Sequence, residues 1–96
     1  MGTNAPRSVR IGGRRTSMRL ETQFWDALRE VAAREHSDIG EICTRIARDA
    51  RHANLSSAVR VAMMAYYREL AFGRHDPEKA GESAVAAASA LAATGD

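Results

Sequence analysis

The sequence predicts a mainly helical fold in which one short N-terminal strand, followed by three helices, pairs with a second copy of the chain. Three observations carry this expectation. Arg15 to Leu20 alternates strictly between polar and apolar side chains, the period of a half-buried strand. Three later segments repeat apolar residues at the spacing of amphipathic helices. The organised part, residues 14–72, is 59 residues long, and about 60 residues bury only about 60% of their surface as a monomer.

Taken in order, residues 1–13 (MGTNAPRSVRIGG) mix Gly, Pro, Asn and Ser with scattered apolar side chains. They read as a mobile basic arm ending at the Gly12-Gly13 breaker. The strand follows, with Thr16, Met18 and Leu20 on one face and Arg15, Ser17 and Arg19 on the other. From Thr22 to Glu35 the residues Phe24, Leu28, Val31 and Ala32 form one apolar stripe. Either Glu21 or Thr22 caps that helix. After His36-Ser37, the pattern Asp38-Ile39-Gly40-Glu41 is a capping box. Ile39, Ile42, Cys43, Ile46, Ala47 and Ala50 then mark a second helix to about Arg51. Asn54 or Ser56 caps a third, lined by Leu55, Val59, Ala62, Met63, Tyr66 and Leu70 and ending near Gly73. Residues 73–96 form an Ala-rich tail. Asp76-Pro77-Glu78 resembles a helix start, but little beyond Val85 and Leu91 could be buried. A frayed helix or a disordered segment is expected there.

A strand cannot stay single, because its backbone groups need ladder partners. Val9-Arg10-Ile11 is the only other strand-like run, and two glycines follow it. The economical solution is a second chain, whose residues 15–20 pair antiparallel with the first set. Met18, Leu20, Phe24, Leu28, Val31, Ile42 and Ile46 would form the core of that homodimer.

The charge has a location. The chain carries 14 Lys+Arg against 12 Asp+Glu, a formal +2, with a pI near 9.2. Residues 1–20 hold five arginines and no acid, leaving 9 basic and 12 acidic side chains in residues 21–96. The lone Cys43 excludes an intramolecular disulfide framework and fits a reducing compartment; its place on an apolar stripe makes it an inert core thiol. No run approaches the roughly 18 apolar residues of a membrane span, and the basic N-terminus has no apolar segment behind it to make a secretory signal. A cytoplasmic protein is expected. No catalytic triad, paired carboxylates or Gly-rich phosphate loop is present. His36, His52 and His75 lack ligand spacing, so neither an enzyme, a metal site nor a cofactor is expected.

What remains is recognition by the strand. Arg15, Ser17 and Arg19, repeated by the second copy, would project from a narrow two-stranded ribbon, a shape that fits the major groove of B-form DNA. Arginine can donate bidentately to guanine there, and serine pairs with several base edges. Thirteen of the 14 basic residues are Arg, the side chain of planar bidentate recognition. Arg7, Arg10 and Arg14 in the arm suit phosphate or minor-groove contact.

The order RTSMRLE, FWDALREVAARE, SDIGEI resembles the ribbon-helix-helix family of Arc and methionine repressor type. More narrowly it is similar to small bacterial members with an R-T-S-x-R-L-E strand (Arg15–Glu21), an F-W-x-A-L segment (Phe24–Leu28) and an N-L-S-S-A-x-R helix (Asn54–Arg60). The resemblance covers residues 14–72. It implies an intertwined homodimer, one or two per operator, reading double-stranded DNA bases through Arg15, Ser17 and Arg19. It also implies a phosphate held by the backbone N–H groups of Ile39 and Gly40 at the start of the second helix. Asp38 departs from that pattern, since its carboxylate would repel the phosphate. The alternative places the anchor at the later helix, with Ser56, Ser57 and Arg60 as contacts; the reading favoured is Asp38–Arg51 as the family's second helix. His36 stands at a turn where the family commonly has glycine.

The function expected is a transcriptional repressor or autoregulator. The alternative from a different class is a helical dimerisation or adaptor module for a protein partner, including an antitoxin that binds a toxin through its tail. Met63, Met64, Tyr66 and Tyr67 read as core or dimer packing before a partner groove. Trp25, off the main stripe, either packs against the dimer mate or marks a surface used by something else.

Overall fold

Gly12 and Gly13 stand between two eight-residue runs, and both runs are strands. The structure, a computed structural model, describes residues 4–50 and 54–72. Strand β1 (Asn4–Ile11) pairs antiparallel with β2 (Arg14–Glu21), with Asn4 opposite Glu21 and Ile11 opposite Arg14. The turn has φ +59° at Gly12 and +82° at Gly13. Positive φ at both central residues is what a two-residue hairpin of matching twist requires, and glycine alone adopts it without cost. The expected arm is therefore corrected over residues 4–11. The glycines close a hairpin, and the partner that β2 needs comes from its own chain. Pro6, which has no N–H to donate, is tolerated because β1 is an edge strand.

Three helices follow: α1 (Thr22–Arg34), α2 (Ile39–Asp49) and α3 (Leu55–Ala71). The ribbon-helix-helix order holds, with the hairpin in front and a third helix behind. Glu21 occupies the N-cap of α1 but makes no side-chain cap bond, because its carboxylate is engaged by Arg60. The helix ends in a Schellman arrangement: Ser37 N–H donates to the Ala32 carbonyl and His36 N–H to that of Ala33. His36 takes the left-handed position, φ +55°, where glycine is the usual residue. Asp38 caps α2 by accepting from the Glu41 N–H at 2.8 Å, and Asn54 caps α3 by accepting from Ser57 N–H at 3.1 Å. Both satisfy amides that a helix start leaves unpaired.

Met18 and Leu20 point from β2 into the core, with Val9 and Ile11 of β1 packed at its margin. Leu28, Val31, Ile42, Ile46, Val59, Met63 and Tyr66 complete it. The stripe of α1 is rotated from the expected one: Trp25 is 1% exposed, while Phe24 is only half-buried. Both alignments satisfy helical spacing through Leu28 and Val31, and burying the larger indole removes more apolar surface from water. Of the residues expected in a dimer core, all but Phe24 are buried within this one chain. The third helix and the first strand pack against this cluster within the chain. The Tyr66 hydroxyl donates to Glu35 Oε2 at 2.9 Å, and Tyr67 donates to Glu30, fastening α3 along α1. Cys43 is fully buried, and burial pushes its thiol up to about 12, as an inert core residue requires. The tail of residues 73–96, with its expected helix start at Asp76-Pro77-Glu78, lies outside the described residues, as do His52 and His75.

Candidate nucleic-acid interface

Residues directly opposite one another in an antiparallel pair share a face. The register therefore builds the outward face from three rungs: Pro6 with Arg19, Ser8 with Ser17, and Arg10 with Arg15. All six side chains are exposed. Arg15, Ser17 and Arg19, expected on this face from alternation alone, are brought together there. Ser8 and Arg10 join them: the sequence reading did not name Ser8, and it gave Arg10 to phosphate or minor-groove contact from the arm. The signal was present: Pro6, Ser8 and Arg10 alternate with Val9 and Ile11 up to the Gly-Gly turn.

The electrostatics of this face are one-sided. Arg10 and Arg15 are directly opposed, an arrangement that like charges destabilise. The three rungs contain no acid. The next residue on that face, Glu21, is neutralised within the fold: Arg60 Nε lies 2.9 Å from Oε1 and Nη2 lies 3.3 Å from Oε2. The Arg60 hydrogen bonds hold the Glu21 carboxyl below its usual range. Arg60, a candidate phosphate contact, is thus committed to an ion pair that ties α3 to the foot of the ribbon. Ser56 adds a second tie, its hydroxyl donating to the Arg19 carbonyl at 3.2 Å.

The tip is held separately. Gly12 N–H donates to Thr44 Oγ1 at 3.0 Å, and that hydroxyl donates to the Gly40 carbonyl at 2.7 Å. Arg10 Nη1 donates to the Gly13 carbonyl at 3.3 Å. Gly40 lets β1 approach α2 closely: a Cβ there would lie 2.8 Å from the Arg10 carbonyl oxygen. The first turn of α2, where Ile39 and Gly40 were expected to hold a phosphate, therefore has the Asp38 carboxylate and a strand carbonyl beside it. The start of α3, carrying Ser56 and Ser57, has the neutral Asn54 as its cap.

Arg7 and Arg14 fall on the opposite parity of the ribbon. The Arg7 guanidinium lies over the Trp25 ring, 5.2 Å from its centroid, and the indole is buried within the chain. Arg14 is exposed beside the turn. On α3 and at its C-cap, Met64 and Phe72 are exposed, at 57% and 70%. Among the described residues no group of His, Cys, Asp and Glu could hold a metal ion, and no helix is long and apolar enough to cross a membrane.

No curated protein matches this chain. Among solved structures it is similar to an uncharacterized protein from Bordetella pertussis Tohama I, with 35% sequence identity and a TM-score of 0.65. The match covers 80% of this chain and 65% of that one, so the chain spans just under two thirds of its neighbour's length. A family model described as the ribbon-helix-helix domain matches residues 5–67. Its first matched residues are those of β1, so the hairpin belongs to the matched unit. With that match spanning both strands, α1, α2 and most of α3, the chain belongs to the ribbon-helix-helix domain family, a family of DNA-binding transcription regulators.

Proposed function

We propose that the protein is a sequence-specific DNA-binding regulator that lays its ribbon in the major groove and represses transcription, its own included, by occupying a short operator. The observation that carries this reading is the three acid-free rungs of the outward face, on which Arg10 and Arg15 stand opposed with no acid beside them among the described residues. An arrangement that costs stability in the free protein is relieved by a polyanion. Arg15 and Arg19 are assigned to guanine edges and Ser17 to the base between them. Phosphate contact falls to Arg7 and Arg14 at the flanks and to the α3 start with Ser56 and Ser57, whose neutral cap suits an anion better than Asp38 does. A homodimer on the operator is part of the reading, because a two-stranded sheet leaves an outer edge on each strand. The regulator works in the cytoplasm, and its action is binding without a catalytic step.

Arg19→Ala tests this directly. The side chain is exposed, so the fold should survive. Specific affinity should fall by roughly 1–3 kcal/mol with loss of preference at one base pair. Unchanged affinity and selectivity in a gel shift on a selected genomic fragment would refute the ribbon as the reading element.

The exposed Met64 and Phe72 on α3 and at its C-cap favour a second reading, an adaptor that binds a protein, a toxin among the candidates, through that helix. Gel shifts with genomic fragments across salt concentrations separate the two. Retardation that survives competitor DNA supports the regulator, and none at low salt supports the adaptor.

A further inference from the structure

We propose that residues 77–93 of the tail form a helix that folds back along the outer face of α3 and covers Met64 and Phe72. This contact is independent of how the ribbon is used. A surface helix with one buried stripe carries polar residues on its other face, and α3 does not. Its core stripe is Ala58, Val59, Ala62, Met63 and Tyr66. At 3.6 residues per turn the face turned away from that stripe holds Ser57, Val61, Met64, Arg68 and Ala71. Arg68 is the one charge on it. Met64 and Phe72 are the exposed large hydrophobics among the described residues, and the Arg68 guanidinium lies over the Phe72 ring, 5.8 Å from its centroid.

The chain carries a segment that fits this face. Residues 73–96 lie outside the described residues, and their sequence continues directly from Phe72. Asp76-Pro77-Glu78 is a helix start, and the alanines beyond it favour a helix. On that helix Ala84, Val85, Ala88, Leu91 and Ala92 share one stripe, while Lys79, Ser83 and Ser89 fall off it. The stripe is too thin to bury by itself, but its small side chains let a second helix axis approach closely.

Length and charge both match. Residues 77–93 and α3 are each 17 residues long, about 26 Å as helices. The four residues between them, Gly73 to Asp76, are within the roughly 2–8 that join neighbouring helices in bundles. Counted equally from that turn, Val85 falls beside Met64, Ala88 beside Val61 and Gly81 beside Arg68, with Glu78 and Glu82 flanking the guanidinium. A second copy of the α3 face would bring another Arg68 and no acid. Tethering favours the tail as well, because a short linker holds it at a millimolar effective concentration. A protein partner drawn to Met64 and Phe72 has to displace it.

Hydrogen exchange read by mass spectrometry on the full-length chain tests the contact, with the wild type beside M64K and V85D. Met64 is exposed, so M64K should leave the core intact. Wild-type amides of residues 78–92 should exchange about ten-fold or more slower than those of an unstructured chain. M64K and V85D should each return them toward the unstructured rate and leave α1 and α2 unchanged. Wild-type exchange at the unstructured rate overturns the contact. Protection that M64K leaves intact also overturns it, because the tail is then held elsewhere. Oxidation followed on a non-reducing gel identifies the occupant, since Cys43 is buried and does not compete. The pair M64C/V85C should close within one chain; a pair that does not close, or a two-chain species from M64C alone, overturns the assignment.

Discussion

Replacing Gly40 by alanine sets two opposing effects against each other, and the structure decides the sign. Gly40 lies in the first turn of α2, where alanine gains up to about 1 kcal/mol from helix propensity alone. The added Cβ would stand 2.8 Å from the Arg10 carbonyl oxygen. Carbon–oxygen contacts between adjacent backbones settle near about 3.3–3.6 Å, so α2 and β1 must separate by about 0.5 Å or more. The obstacle is backbone, which cannot rotate aside as a side chain would. The separation is resisted from both directions, since Thr44 bonds the Gly40 carbonyl and the Gly12 amide together. Overpacking of this kind costs about 1–3 kcal/mol, which exceeds the propensity gain. The net expectation is a loss of about 1–2 kcal/mol, and each 1 kcal/mol lowers the midpoint of a domain this size by about 4–8 °C. Thermal unfolding followed by circular dichroism and by Trp25 emission measures it. A midpoint that stays or rises would refute the close approach, and with it the fixed tip of the ribbon.

Further outcomes follow from other contacts. His36→Gly should raise stability by roughly 0.5–1 kcal/mol in a urea titration, because His36 holds φ +55° at a helix end where a Cβ is unfavourable. Removing residues 1–11 should abolish cooperative unfolding, since it takes away the ladder partner of β2; a merely basic arm would leave the melt intact and lower only the salt slope of DNA binding. Burial and the Glu35 hydrogen bond push Tyr66 up to about 12 from its ordinary 10. The unfolded chain therefore ionises first, and the stability contributed is complete below about pH 10 and lost as pH rises toward 12. Tyr66→Phe should flatten that alkaline limb in denaturant titrations across this range, and an unchanged slope would show that Tyr66 does not carry it.

Much of the fold was legible because local chemistry and global packing agree. The alternation of residues 15–20, the Asp38 and Asn54 caps and the spacing of three helices each had one physical solution. The first strand was obscured because a Gly-Gly pair serves equally as breaker and as hairpin turn, and residues 4–11 have only Val9 and Ile11 to mark an inner face. Phe24 and Trp25 were exchanged because neighbouring residues fit one helical stripe almost equally well. On the candidate site, Arg15, Ser17 and Arg19 could be read from parity alone. The pairing of Arg60 with Glu21 spans 39 residues, and no local pattern encodes it. Ser8 and Arg10 entered the face only once a register existed.

The closure of the core inside one chain bears on how such a regulator responds to its own abundance. Where two protomers must interlock to bury Leu28, Ile42 and Ile46, folding is bimolecular, and dilution unfolds the protein. Here these side chains are already buried within one chain, so a second copy would add contacts to a core and not supply one. Dilution would then act on association with other molecules before it acts on the burial of these side chains.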